Sequence, residues 1–142
     1  MKKTKRNLSD EKKQALIQRL VSYLEKEHPE LVAAYIFGSF VSEKPFADID
    51  VALLARSADA ETLNFELVTE NNIEQILGLP VDVRVMNTAP LSFQFQVIRN
   101  GQLILERDPN ARAEYQAQIL KQYFDFSCFR KRYLKEVVHA PF

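Results

Sequence analysis

The chain has 142 residues, 46% of them hydrophobic, with 19 Lys+Arg balancing 19 Asp+Glu, a single cysteine, no tryptophan and three glycines. That length fits one domain with a genuine apolar core, the lone cysteine excludes a disulfide framework or a Cys-based zinc site within one chain, and no apolar run approaches the roughly 18 residues of a membrane span. A formal charge of zero argues against a general nucleic-acid binder, so a soluble cytoplasmic protein with no membrane or direct nucleic-acid partner is expected. The balance is uneven along the chain: eight basic residues face five acidic ones over 1–39, five face eleven over 40–108, and six face three over 109–142.

Residues 1–8 carry Lys2, Lys3, Lys5 and Arg6 with little to bury, and read as a basic solvated tail. Ser9 then fits an N-cap, Asp10 and Glu11 suit the positive end of a helix dipole, and Leu16, Ile17, Leu20, Val21 and Leu24 recur at helical spacing until Pro29 stops the helix near Glu27. Leu31–Phe37 is continuously apolar and ends at Gly38, the pattern of a buried central strand. A polar loop leads to a second apolar run, Ile49–Ala55. Asp59–Leu77 reads as a helix closed by Gly78, Val81–Met86 as an alternating strand, and Ser92–Arg99 as a short helix ended by Asn100-Gly101. Gln102–Asp108 fits an edge strand, and a long aromatic-rich helical region follows from Asn110, with a break expected near Asp125-Phe126-Ser127. The order implies an α/β (α+β) domain over residues 9–108 built on a small mixed β-sheet with flanking helices. Residues 109–142 form an extra C-terminal helical extension that packs on the domain or on a partner.

The informative segment is FGSFVSEKPFADIDVALL. Gly38-Ser39 closes one buried strand, and Asp48-Ile49-Asp50 opens the next. Side chains alternate along a strand, so Asp48 and Asp50 share one face. Two carboxylates this close raise each other's pKa unless a cation lies between them, and Mg²⁺ bound by one or two carboxylates and substrate phosphates is the natural solution. Gly38, lacking a Cβ, admits close approach of a ligand, so that backbone N–H groups and the Ser39 hydroxyl can hold phosphate oxygens. Asp82 lies on the following strand, on the same face as Arg84. If the two strands are neighbours, Asp82 completes a three-carboxylate cluster able to hold two metals, one activating a hydroxyl and one stabilising leaving pyrophosphate. Three acids and a phosphate loop imply nucleotidyl transfer.

This Gly-Ser, loop, Asp-x-Asp, distant Asp pattern resembles the nucleotidyltransferase (DNA polymerase beta-like) superfamily, and from about Leu31 to Asp108 the chain is similar to its minimal nucleotidyltransferase (MNT) proteins. VIRNGQLILERD with a terminal helix after it also resembles that subfamily. The resemblance implies that Gly38 and Ser39 contact the triphosphate of ATP, that Asp48 and Asp50 bind Mg²⁺, and that Asp82 is the third acid. It also implies an antitoxin that transfers AMP to a tyrosine of a HEPN-domain ribonuclease toxin, within a homo- or hetero-oligomer. The eight residues between Ser39 and Asp48 make a shorter loop than is usual in the subfamily, and Phe40, Val41 and Lys44 stand where Gly and Arg are frequent. Two alternatives follow: an antitoxin that neutralises by binding alone, or a transferase acting on a small aminoglycoside-type hydroxyl compound.

The remaining residues read more plainly. Arg84 is expected to pair with an acid, Cys128 to be a small buried hydrophobe, and His28 and His139 to lie at the surface. The aromatic residues of the C-terminal helix are expected to be core or partner interface, not a base-stacking surface.

Overall fold

The structure, a computed structural model, describes residues 5–42, 45–57 and 62–139. Helix α1 spans Asp10–Glu27; the Ser9 side chain accepts the Lys12 N–H at 3.3 Å, and Asp10 and Glu11 occupy the first turn. Its far end is closed by an element distant in sequence. The Arg107 guanidinium donates to the carbonyls of Leu24 (3.2 Å), Glu25 and His28 (3.0 Å). A cation there adds donors to the carbonyls at the end of the helix and complements the negative end of its dipole.

Strand β1, Leu31–Phe37, has six of its seven residues buried, as a continuous apolar run requires. It lies inside a four-stranded sheet, flanked by β2 (Ile49–Ala55) and β4 (Gln102–Glu106), both antiparallel to it. Strand β3 (Val81–Val85) lies outside β2 and parallel to it, giving the order β3-β2-β1-β4. A parallel neighbour demands a crossover, and helix α2 (Thr62–Leu77) supplies it. Gly78 stops α2 in the left-handed conformation, φ +71, with its N–H on the Glu74 carbonyl at 2.8 Å.

Alternation along the strands divides the core. Ile36, Ile49, Val51, Leu53, Val81 and Val83 pack with Leu20, Leu24 and Ile73 of α1 and α2. Tyr35, Ala52 and Leu54 face the other way, toward Met86, Val97 of helix α3 (Leu91–Asn100) and Tyr115 of helix α4 (Pro109–His139). The edge strand β3 is covered in an orderly way. Glu74, Glu70 and Glu66, one turn apart on α2, accept the N–H groups of Val81 (2.9 Å), Val83 (3.0 Å) and Val85 (2.8 Å). The outward donors that would otherwise template another strand are thereby capped.

Several boundaries differ from the sequence expectation. Helix α4 runs unbroken through Asp125-Phe126-Ser127, because none of these is Gly or Pro and each costs only about 0.5 kcal/mol in a helix interior. Strand β3 ends at Val85, since Met86–Thr88 forms a 3₁₀ turn with Met86 wholly buried. Asp59, expected to open the second helix, lies outside the described residues. Arg6 is exposed as a tail residue would be, yet its backbone forms a bridge with Phe46, N···O 2.8 and 3.0 Å. Among the described residues no helix is long and apolar enough to cross a membrane.

Candidate active site

The site forms where β1 ends and β2 begins. Gly38 adopts φ +78, a region that L side chains rarely enter, and opens a 3₁₀ turn over Gly38–Val41. A Cβ there would lie 2.3 Å from Asp50 Oδ2, so glycine is required both by backbone conformation and by the neighbouring carboxylate. The turn is tied at its end: the Ser39 carbonyl accepts the Ser42 N–H (3.2 Å) and hydroxyl (2.8 Å). Gly38 is exposed and Ser39 half-buried. Gly38 of the phosphate-binding candidates and Asp50 of the acid cluster therefore adjoin.

Asp50 faces Phe37 on β1 and Asp82 on β3. Ile49 and Val81, aligned one step earlier, are buried against the α1–α2 layer, so alternation puts Asp50 and Asp82 together on the opposite face. Asp48 lies just before β2, two residues ahead of Asp50, and all three acids are half-buried. The strand adjacency expected from sequence thus holds, with Asp50 and Asp82 in direct register. Among the described residues, however, no three His, Cys, Asp or Glu side chains are gathered closely enough to hold a metal ion. The backbone aligns the acids without closing their side chains into a cage.

Arg84, two residues after Asp82, does not pair with an acid as expected: among the described residues it forms no ion pair, and its guanidinium lies 5.4 Å over the Phe93 ring. Phe93 in turn packs edge-on against Phe37, centroids 5.3 Å apart. A cation on an aromatic face loses little of its hydration and keeps its charge available. Beside Gly38 opens a cleft of about 440 Å³, with Phe37, Val41 and Ser42 on one wall and Phe93, Gln96 and Asn100 on the other. Phe40 does not line it; it is 1% exposed and packs edge-on against Phe46 at 4.8 Å. Lys44 lies outside the described residues.

The sequence reading passed over Lys13. Its ammonium donates to the carbonyls of Phe40 (2.7 Å) and Ser42 (3.2 Å), reaching the Gly-Ser turn from α1. The available signal was its spacing, since Lys13 falls in line with Ile17, Leu20 and Leu24 on the apolar face of α1. Two other expectations need correction. Cys128 is exposed, because it lies on the part of α4 that runs beyond the core. The His28 side chain is only 14% exposed; its ring contacts Glu30 (Nδ1, 3.0 Å) and Tyr23 (Nε2, 3.1 Å) and packs edge-on against Phe65. The His139 side chain lies outside the described residues.

Titration is perturbed around the start of helix α4. Under α4, burial pushes the Tyr35 phenol up despite the opposing pull of Arg112, and burial pushes Tyr115 up far more. Asp108, before α4, is held below the usual carboxylate range, chiefly by the Ala111 N–H at 3.1 Å and further by Arg56 at 3.3 Å.

Comparison with known proteins bears on this geometry. No curated protein sequence matches the chain. Among solved structures it is similar to a chain of the MntA–HepT toxin–antitoxin, at 19% identity and TM-score 0.68, covering 88% of this chain and 98% of that one. A complex of a tri-AMPylated Shewanella oneidensis HEPN toxin with MNT antitoxin gives 20% identity and TM-score 0.70, over 89% and 98% of the two chains. A toxin–antitoxin structure with AMP-PNP gives 19% identity and TM-score 0.71, over 86% and 98%. These likenesses establish a shared fold. A family model described as polymerase beta, nucleotidyltransferase matches residues 18–110, a span holding the Gly-Ser turn and all three aligned acids; the chain belongs to the polymerase beta nucleotidyltransferase family.

Proposed function

We propose that this protein is a magnesium-dependent nucleotidyltransferase that moves AMP from ATP to a tyrosine of a HEPN-domain toxin, and so acts as its antitoxin. The observation that carries the reading is the contact between the Gly38 turn and Asp50, with Asp82 in register beside it. Phosphate-binding backbone and metal-binding carboxylates are thereby combined at one strand end. The fold neighbours, which include a tri-AMPylated HEPN toxin complex and an AMP-PNP complex, support the choice of ATP and of partner.

The donor set suits a hard cation: carboxylate oxygens on adjacent strands, open to one side, with no thiol or imidazole among them. Asp48, Asp50 and Asp82 would hold Mg²⁺, which would neutralise phosphate charge and lower the pKa of an attacking hydroxyl. Gly38 and Ser39 would orient the triphosphate so that its α-phosphorus faces the acids. The tyrosine oxygen would form a bond to that phosphorus as the bond from phosphorus to the α–β bridging oxygen breaks and pyrophosphate leaves, and Asp82 would accept the phenolic proton. Positioning and charge neutralisation provide most of the acceleration. Arg84, held over Phe93, adds a cation on the same sheet face.

Residues 9–108 would form the catalytic unit, and helix α4 would extend it toward the partner. Its inner part packs on the body through buried Ile119, the Tyr115–Gln94 hydrogen bond and the stacked Phe95–Tyr123 pair at 3.7 Å. Its outer part exposes Phe126, Phe129, Tyr133, Leu134 and Val137, an apolar surface that suits a protein interface. This surface also favours the alternative in which the protein neutralises the toxin by binding alone.

The two readings separate in one assay. Protein, Mg²⁺ and α-labelled ATP are mixed with a cognate HEPN-domain toxin. The transferase reading expects label on the partner that disappears in Asp48→Ala and Asp50→Ala. Neutralisation that survives both substitutions, without label, would establish the binding-only alternative.

A further inference from the structure

We infer that Lys13 is a positioning residue that pins the Gly-Ser turn from behind and keeps its amide groups aimed at the triphosphate. The inference rests on the reading that this turn receives phosphates. Four contacts converge on one ammonium group. Lys13 Nζ lies 2.7 Å from the Phe40 carbonyl oxygen and 3.2 Å from that of Ser42, and 5.1 and 5.5 Å from the ring centroids of Phe40 and Phe46. Both rings are 1% exposed, while Lys13 itself is half-buried one turn into α1.

The chemistry of phosphate binding explains why such a clamp matters. A short turn attracts an anion only when its N–H groups point toward the ligand and its carbonyl oxygens point away. A rotated peptide would present a carbonyl dipole to the triphosphate and repel it. Lys13 holds two carbonyls of this turn on the side facing α1, and an ammonium has only donors to offer, so it can satisfy carbonyls but can never compete with the phosphates for amide hydrogens. Its full positive charge behind the turn also favours an anion in front. The aromatic pair screens the ammonium from water and limits where it can move.

The other end of the loop is anchored to the same region. Phe46, whose ring lies under the ammonium, exchanges two backbone hydrogen bonds with Arg6, just ahead of the Ser9 cap of α1. Thus the start of α1 fixes the turn through Lys13 and fixes the approach to Asp48 through Arg6 and Phe46. The short loop between Ser39 and Asp48 is thus held near both ends by the start of α1 and the residues just before it.

The test uses the full chain and two independent readouts: hydrogen exchange of the 38–42 amides without nucleotide, and affinity for Mg·ATP. For Lys13→Met the expected result is faster exchange confined to the turn, with β1 and β2 still protected, together with about a tenfold loss of Mg·ATP affinity, equivalent to about 1.4 kcal/mol. Lys13→Arg, which preserves charge and donors, should recover most of both effects. If Lys13→Met does not fold, Lys13→Gln, which loses the charge but retains a donor, gives the same comparison. Unchanged exchange in the turn, or a wild-type affinity in the variant, would overturn the inference while leaving the proposed function standing. Absence of Mg·ATP binding by the wild type would instead overturn the proposed function, and the exchange result alone would then decide whether Lys13 holds the turn.

Discussion

On strand β2, neighbouring residues have opposite tasks. Ile49, Val51 and Leu53 point into the layer formed by α1 and α2 and are 0–1% exposed, whereas Asp50, Ala52 and Leu54 point toward α3 and α4. Strand β3 repeats the division, with Val81, Val83 and Val85 buried and Asp82 and Arg84 on the other side. One face is sealed from end to end. The second is covered over Ala52 and Leu54 but opens at the acids, so the sheet's packing face and its chemical face are encoded by alternate residues of the same strands. Acids set at the open end stay half-buried: they keep enough water to be tolerated as charges, yet stand close enough to apolar surroundings for their electrostatics to act strongly.

Substitutions on the two faces should therefore have separable consequences. Asp50→Asn is expected to reduce AMP transfer by about a thousandfold, roughly 4 kcal/mol of transition-state stabilisation, with an unfolding midpoint near that of the wild type in a thermal scan. Leu53→Ala, three residues away on the sealed face, should do the reverse. It should lower stability by about 3 kcal/mol, measured by denaturant unfolding, while transfer per folded molecule persists. Gly38→Ala links the faces less cleanly, since it forces a left-handed φ on a residue with a Cβ and drives that carbon into Asp50; a loss of about 2 kcal/mol in stability and of Mg·ATP binding is expected together.

Smaller effects are expected at the sheet edge and at the start of α4. Glu70→Ala removes the acceptor for the Val83 N–H on the edge strand and should cost about 1 kcal/mol, with increased self-association by light scattering as the edge becomes available. Asp108→Asn tests the attachment of α4. Because the folded-state pKa of Asp108 lies below its ordinary value, its ionised form contributes stability that is present above the usual carboxylate range and is lost as pH falls through it to the folded value. The asparagine variant should therefore unfold at a slightly lower temperature than the wild type at neutral pH and decline less steeply over that acid range, so that the two converge below it.

Much of this arrangement is legible in the sequence. The apolar run Leu31–Phe37 identified the buried strand because continuous burial leaves no polar alternation, and the Asp-x-Asp spacing placed two acids on one face because side chains alternate along a strand. Gly78 and Ser9 marked helix ends through conformational and capping preferences that act locally. The features that escaped are those settled by distant contacts. Arg84 stacks on Phe93 because α3 returns over the sheet, Arg107 closes α1 from the end of the edge strand β4, and Lys13 reaches a turn 27 positions later. Cys128 was misplaced for the same reason: its burial depends on whether α4 still has a body beneath it, and an unbroken helix carries it beyond the core.

If the open face transfers a nucleotide, the source of the transferred atoms will reveal it. In parallel reactions, α-labelled and γ-labelled ATP are incubated with Mg²⁺, the protein and the HEPN partner, and label is located by mass spectrometry on the partner's peptides. The expected result is an AMP adduct on a tyrosine from α-labelled ATP, no label from γ-labelled ATP, and loss of the adduct in Asp50→Asn. Label from the γ-phosphate, or an adduct undiminished in a folded Asp50→Asn protein, would contradict nucleotide transfer by this face.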